Sequence, residues 1–295
     1  MRDFPWPLTP GAKTRPEWTG SGFLVDGEEI PVLIYCTRRE SWDDELTVFH
    51  ERIAGSDHFI DIASRRSAVA ELKSCLKKPD PVVLEIGSSS GFLLPAIEKA
   101  YPHALVIGSD SFPEALERLA RTDPTIPLLG FDLMQCPLPD NCVDAVVLLN
   151  VLEHIKEDEK AMRMLFRILK PGGIAILEVP SGSHLFDIYD ELLRHYRRYD
   201  MKTFRSLTEN VGFEVLKASH LGFFAYPGFA LVKKRNQLLT NKDAAVKKNK
   251  VASEIGNNRK SLPIRMVMGL EFVVGRLVSY PFGIRCLLNL RKPLT

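Results

Sequence analysis

The 295-residue chain is 45% hydrophobic and 26% charged, the balance of a soluble protein whose core suits one large α/β domain with additions. A formal net charge of +2 excludes a strong overall field for nucleic acid or membrane, so either partner would need a local patch. Cys36, Cys75, Cys136, Cys142 and Cys286 form no CxxC pair, which argues against a disulfide framework or zinc ribbon; free thiols and no metal site are expected.

The N-terminus, MRDFPWPLTPGAK, has prolines and charges where a signal peptide needs an apolar run, and no stretch offers about 20 uncharged apolar residues. A cytoplasmic protein is expected. The first 20 residues, with Pro5, Pro7, Pro10 and Pro16, read as an irregular arm. Residues 22–35 predict two short strands turning at Asp26-Gly27, a pair suited to the positive φ angles of a tight hairpin. Helices are predicted over 42–53, with Ser41 as N-cap, and over 61–77, ending before Pro79 and Pro81. His58, at the join, reads as a loop histidine with no special task.

From residue 82 short apolar runs alternate with amphipathic segments. Strands are predicted over 82–86, 105–109, 128–131, 143–149 and 174–179. Helices are predicted over 92–100, 113–121 and 156–169, the last stopped by Pro171-Gly172-Gly173. The apolar runs lack alternation, as expected where helices cover both faces of a parallel sheet. A helix over 202–210 and a strand over 213–219 follow. Residues 233–260 hold nine Lys or Arg against Asp243 and Glu254, which reads as a solvated loop or polar helix. A mostly apolar helix over 264–280 and a last strand over 284–290 complete the chain.

The segment Val82–Gly91 predicts a buried strand, a glycine-bounded turn and a helix. Gly87 and Gly91 let the backbone turn sharply and approach a nucleotide-like ligand. About 20 residues beyond, the second strand ends in Asp110, where an acid can accept from both ribose hydroxyls. Phe112 can lie on an adenine face. Asp132 can accept the adenine amine, with the Leu133 backbone reading the ring. The fourth strand delivers Asn150, Val151, Glu153 and His154 to the carboxyl edge of the sheet, where open α/β sheets bind ligands. A dinucleotide enzyme would want G-x-G-x-x-G, whereas Gly87 is followed by three serines, Gly91 and Phe92.

LEIGSSSG, GSD, FDL, PLPDNCVDAVVLLNVLEHI, LKPGG and EVP, in this order over residues 80–221, resemble the class I S-adenosylmethionine-dependent methyltransferases, in particular their small-molecule O-methyltransferase-like members. The resemblance implies a Rossmann-like α/β sheet, mostly parallel with an antiparallel last strand. It implies S-adenosylmethionine as cofactor and S-adenosylhomocysteine as product. Glu85, Gly87, Ser88, Ser89 and Gly91 would surround the methionine moiety, Asp110 and Ser111 the ribose, Phe112, Asp132 and Leu133 the adenine, with Asn150 and Val151 beside them. Ser89 departs from the family, which usually has glycine there.

The expected division is an arm, hairpin and helix over 1–60, a cofactor-binding core over 61–221, a helical and basic insertion over 222–281, and the last core strand over 282–295. N-terminal helices would cap the cofactor. His195 is the first choice for a general base and His154 the second. Tyr196, Arg197, Arg198 and Tyr199 are assigned to the acceptor, the arginines for an anionic group; the competing reading is a surface loop held by salt bridges to Asp187 or Asp190. The insertion reads as a packed subdomain, a lid, or a peripheral membrane contact. The expected function is methyl transfer to a small or medium acceptor at oxygen, on a secondary metabolite, glycan or lipid-linked sugar. A nucleic-acid methyltransferase and a non-catalytic binding module are the alternatives; the first is disfavoured by the lack of interleaved aromatics among the lysines and of an Asn/Asp-Pro-Pro-Tyr motif.

Overall fold

The computed structural model describes residues 4–36, 58–239 and 262–294. The predicted helix over 42–53 and most of the basic stretch, residues 240–260, lie outside them. Strands β1 (Glu17–Trp18), β2 (Phe23–Val25) and β3 (Glu28–Ile30) form a small antiparallel sheet. Its β2–β3 turn is Asp26-Gly27, with φ of 50° and 89°, as the Asp-Gly pair predicts. The Asp26 carboxylate accepts the backbone N–H groups of Lys13 and Thr14 and so ties down the preceding arm. That arm is not loose: the Trp6 ring lies tilted against Phe4 and edge-on to Phe23 inside the core, with ring centroids 4.5 and 5.0 Å apart.

After β4 (Leu33–Ile34) and α1 (Phe59–Cys75), β5 (Val82–Ile86), α2 (Leu94–Ala100), β6 (Leu105–Asp110), α3 (Pro113–Thr122) and β7 (Leu128–Gly130) alternate. Then come β8 (Val143–Leu149), α4 (Asp158–Ile168), β9 (Leu169–Pro180), α5 (Ile188–Leu192), α6 (Met201–Val211) and β10 (Glu214–Leu221). The described chain closes with α7 (Tyr226–Gln237), α8 (Leu262–Val274) and β11 (Arg285–Arg291). The eight-stranded sheet runs β10-β11-β9-β8-β5-β6-β7-β4. Strands β4 through β9 pair in parallel, and β11 inserts antiparallel between β9 and β10. β4, at the far edge, was not anticipated as part of this sheet.

Val82–Ile86 is buried along its whole length, because helices cover both faces. Phe4, Trp6, Phe23, α4 and α6 pack on one face, and α1, α2 and α3 on the other. Several boundaries differ from the sequence reading, two of them for reasons of glycine and proline placement. α4 ends at Ile168, and Pro171-Gly172-Gly173 lies within β9 at a register shift against β8 rather than at the helix end. The helix expected over 264–280 stops at Val274, and the chain then turns through Gly275, whose N–H donates to the Glu271 carbonyl. The strand order reverses between β5 and its neighbours β6 and β8, which opens a crevice at their carboxyl ends.

Candidate active site

That crevice deepens into a cavity of about 460 Å³, within the usual size of a small-molecule site. Its floor is the turn after β5. Gly87 has φ +81°, and a Cβ there would stand 2.3 Å from Val151 Cγ2, so any side chain at this position is strained. Ser89 sits at φ +47°, a left-handed conformation that explains why glycine is common there in the resembling family. The turn is stitched to β6: the Gly87 and Ser88 N–H groups donate to the Ser109 carbonyl at 2.8 and 2.9 Å. The Asp110 carboxylate accepts the N–H of Ser89 at 2.9 Å and that of Phe112 at 3.1 Å. These bonds aim the carboxylate into the cavity before any ligand arrives.

Glu85, Gly87, Ser88, Ser89, Asp110, Ser111, Phe112, Leu133, Asn150 and Val151 all line the cavity. Two residues assigned to the cofactor do not. Gly91 stands where a Cβ would lie 2.4 Å from Leu119 Cδ1, so its lack of a side chain serves packing against α3. Asp132 caps the short turn at Leu133–Gln135 by accepting the Met134 N–H at 2.9 Å, and Phe131 and Leu133 form the wall instead. Glu85 is buried, and among the described residues its Oε2 has no hydrogen-bond partner. Desolvation pushes its carboxyl up to about 8. An ammonium or backbone-like donor from a ligand would satisfy that oxygen, which fits the methionine end of S-adenosylmethionine.

The opposite wall holds His195. Its Nδ1 lies 2.8 Å from Asp190 Oδ1, and its ring meets that of His154 edge-on, centroids 4.6 Å apart. The loop that carries it is bound to the short turn Leu152–His154 that follows β8, the Tyr196 N–H donating to the Glu153 carbonyl at 2.8 Å. Asp190 also accepts from Arg198 at 3.0 Å and from Lys233 at 3.0 Å, while Lys233 bonds Asp187 at 2.6 Å. This surrounding holds the Asp190 carboxyl well below its ordinary range. Burial lowers the His195 pKa and outweighs the raising effect of Asp190, so the imidazole is neutral near pH 7.

The run from Tyr196 to Tyr199 therefore divides. Arg198 faces the cavity but is committed to Asp190 and to the Ser181 carbonyl, the ion-pair reading of this segment. Arg197 turns away to Asp158 and the Lys156 carbonyl. Tyr199 is buried in the core with its hydroxyl on Asp158, and Tyr196 is half exposed outside the cavity. Of the four residues assigned to the acceptor, only Arg198 lines the cavity: consecutive residues of an irregular loop point in different directions, and only the fold selects which.

The sequence reading missed several lining residues. Arg285 of β11 reaches Asp61, Ser64 and Glu178, and Glu178 in turn accepts the Asn150 side-chain amide at 3.3 Å. Tyr189, Phe229, Lys233 and Asn236 complete the wall near His195. His58, read from the sequence as a loop histidine, lines it as well. One ligand atom each of Glu153, His154 and His195 falls within 4.8 Å of the others, a grouping with the donor types for a divalent cation after contraction.

Comparison with known proteins agrees with this geometry. Residues 84–177 match the model of a methyltransferase domain family. A probable S-adenosylmethionine-dependent methyltransferase of Mycolicibacterium smegmatis is 30% identical over 150 residues, covering 50% of this chain and 57% of that protein. A ubiquinone/menaquinone biosynthesis C-methyltransferase of Yersinia pestis is 32% identical over 103 residues, 32% of this chain and 41% of that protein. Phosphoethanolamine N-methyltransferase 2 of Haemonchus contortus, solved with S-adenosyl-L-methionine, superposes with a TM-score of 0.55 at 19% identity, covering 86% of this chain and 58% of that one. The chain spans about half the length of the first curated relatives it matches.

Proposed function

Residues 84–177 match a methyltransferase domain family, and we propose that this chain is a class I S-adenosylmethionine-dependent methyltransferase that transfers the cofactor's methyl group to a small or medium organic acceptor at oxygen. The acceptor would be a hydroxyl or carboxyl of a secondary metabolite, glycan or lipid-linked sugar. The observation that carries the oxygen reading is the His195–Asp190 pair at 2.8 Å in the cavity wall opposite the β5 turn.

S-adenosylmethionine supplies an electrophilic methyl on a sulfonium that is its own leaving group. Glu85 and the Gly87–Ser89 turn hold the methionine end, Asp110 and Ser111 the ribose, and Phe112 and Leu133 the adenine, with Asn150 and Val151 closing the side toward the acceptor. The remaining work is alignment of the acceptor and removal of its proton. His195 takes that proton at Nε2, because Nδ1 is engaged by Asp190. Asp190 stabilises the imidazolium so formed, in the manner of a buried acid behind a catalytic histidine. His154 packs on the edge of this ring and fixes its plane. α7 forms the outer wall through Phe229, Val232 and Lys233, which shields the acceptor from water.

Relatives named for carbon and for nitrogen methylation show that the domain alone leaves the atom open. The test is incubation of the full chain with labelled S-adenosylmethionine and a host metabolite extract. A labelled oxygen-methylated small molecule, lost with His195→Ala, supports the proposal. Label on nitrogen or carbon overturns the oxygen assignment, and label in nucleic acid overturns the acceptor class. Cofactor binding without any labelled product identifies a binding module.

A further inference from the structure

Residues 222–281 carry eleven Lys or Arg against three acids, in a chain whose net charge is only +2. One of those acids, Glu271, is buried and bonded to the N–H groups of Gly222 and Phe224. The two described helices of this stretch are each two-sided. α7 turns Phe229, Val232 and Lys233 to the cavity and leaves Leu231, Lys234, Arg235 and Leu238 exposed, at the i, i+3, i+4, i+7 spacing of a single helix face. Leu231 is 71% exposed and Leu238 81%. α8 buries Met268 and leaves Met266, Leu270 and Val273 exposed, a stripe continued by Leu277 in the next turn at 88% exposure. Phe229 and Met268 belong to the same small apolar cluster, so both helices stand on one base.

Among the described residues nothing covers these rows of large apolar side chains on α7 and α8, and lysines and arginines beside them oppose desolvation by a protein core. We infer that this outer face of α7 and α8 docks the protein on the surface of an anionic lipid bilayer. Leucine, methionine and valine enter the acyl boundary while the basic residues stay with the headgroups. A second copy of the chain is the poorer occupant, since a two-fold contact would set this basic face against itself. Nucleic acid is poorer still, since phosphates offer nothing to the leucines. The proposed contact is peripheral, and no described helix is long and apolar enough to cross a membrane. Because α7 also lines the cavity, docking would place the outer wall of the site next to the bilayer and favour acceptors carried on lipid. This last step rests on the methyl-transfer reading; the docking does not.

The experiment is flotation of the full chain with phosphatidylcholine vesicles, with and without phosphatidylglycerol, at low and high salt. The expected result is flotation with the phosphatidylglycerol vesicles, weakened by salt. The variant Leu270→Asp/Leu277→Asp should lower partitioning at least about 100-fold. Its melting temperature and S-adenosylmethionine affinity should be unchanged, which separates docking from folding and from the cofactor site. No flotation with either vesicle overturns the inference. So does flotation that the double variant leaves intact, or a concentration-dependent dimer that the variant abolishes in a chain that binds no vesicle.

Discussion

His195 Nδ1 lies 2.8 Å from Asp190 Oδ1, and Asp190 is completely buried. The partner thus fixes which ring nitrogen faces the cavity. His195→Ala should lower kcat by about 100- to 10,000-fold, the usual contribution of a positioned base. Cofactor affinity by calorimetry should be unchanged, since Glu85 and Asp110 are untouched. Wild-type turnover by this variant would remove His195 from the role.

The same pair sets the pH profile. The neutral imidazole is the active form, and burial lowers its pKa below the ordinary histidine value of about 6.5. As pH rises through that lowered value the proton is lost and activity appears. The kcat profile should therefore rise in the acid range and be flat through neutrality. A midpoint above 7 would contradict the neutral-base assignment.

Asp110 is held by the Ser89 and Phe112 N–H groups. Asp110→Ala should weaken S-adenosylmethionine binding by roughly 10- to 150-fold, the cost of about 1.5–3 kcal/mol for hydrogen bonds to a charged group. Titration calorimetry reads this directly. Unchanged affinity would place the ribose elsewhere.

Gly87→Ala should destabilise the protein by about 1–3 kcal/mol, because the new methyl meets Val151 Cγ2 at 2.3 Å in a left-handed backbone. Removing the obstacle with Gly87→Ala/Val151→Ala should recover only the steric part. Chemical denaturation of the two variants checks it; full recovery would show that backbone strain contributes nothing.

Burial pushes Glu85 and Glu153 up to about 8 in the folded protein, well above their unfolded value. Both are protonated when folded near neutrality and ionised when unfolded, so the unfolded chain binds fewer protons. Cofactor-free stability should fall as pH rises from about 4.5 to about 8. Glu153→Gln should flatten that slope in thermal melts at a series of pH values. A slope of the same size in the variant would exclude Glu153 as its source.

Much of the scaffold was legible in the residues. Val82–Ile86 and Val143–Leu149 could be bounded because an apolar run covered on both faces ends where solvent or a turn begins. The Asp26-Gly27 hairpin and the Gly87 turn were legible because positive φ angles demand particular residue types. Asp110 could be placed because strand length and helix length fix where a strand end falls. Backbone constraints of this kind are local, and sequence encodes them directly.

The acceptor side was decided by the tertiary structure. Nothing local marks Arg285, whose partner Asp61 lies 224 residues away, or Lys233, which reads as part of a basic run yet is buried between Asp187 and Asp190. Tyr196 to Tyr199 reads as one binding motif, but loop geometry sends Arg197 and Arg198 to different carboxylates. A charged side chain takes its role from what desolvates it and what pairs with it, and both are long-range properties of the folded chain. The sequence determined that there is a sheet edge with a cofactor turn; the packed structure decided which charges face it and how His195 is held there.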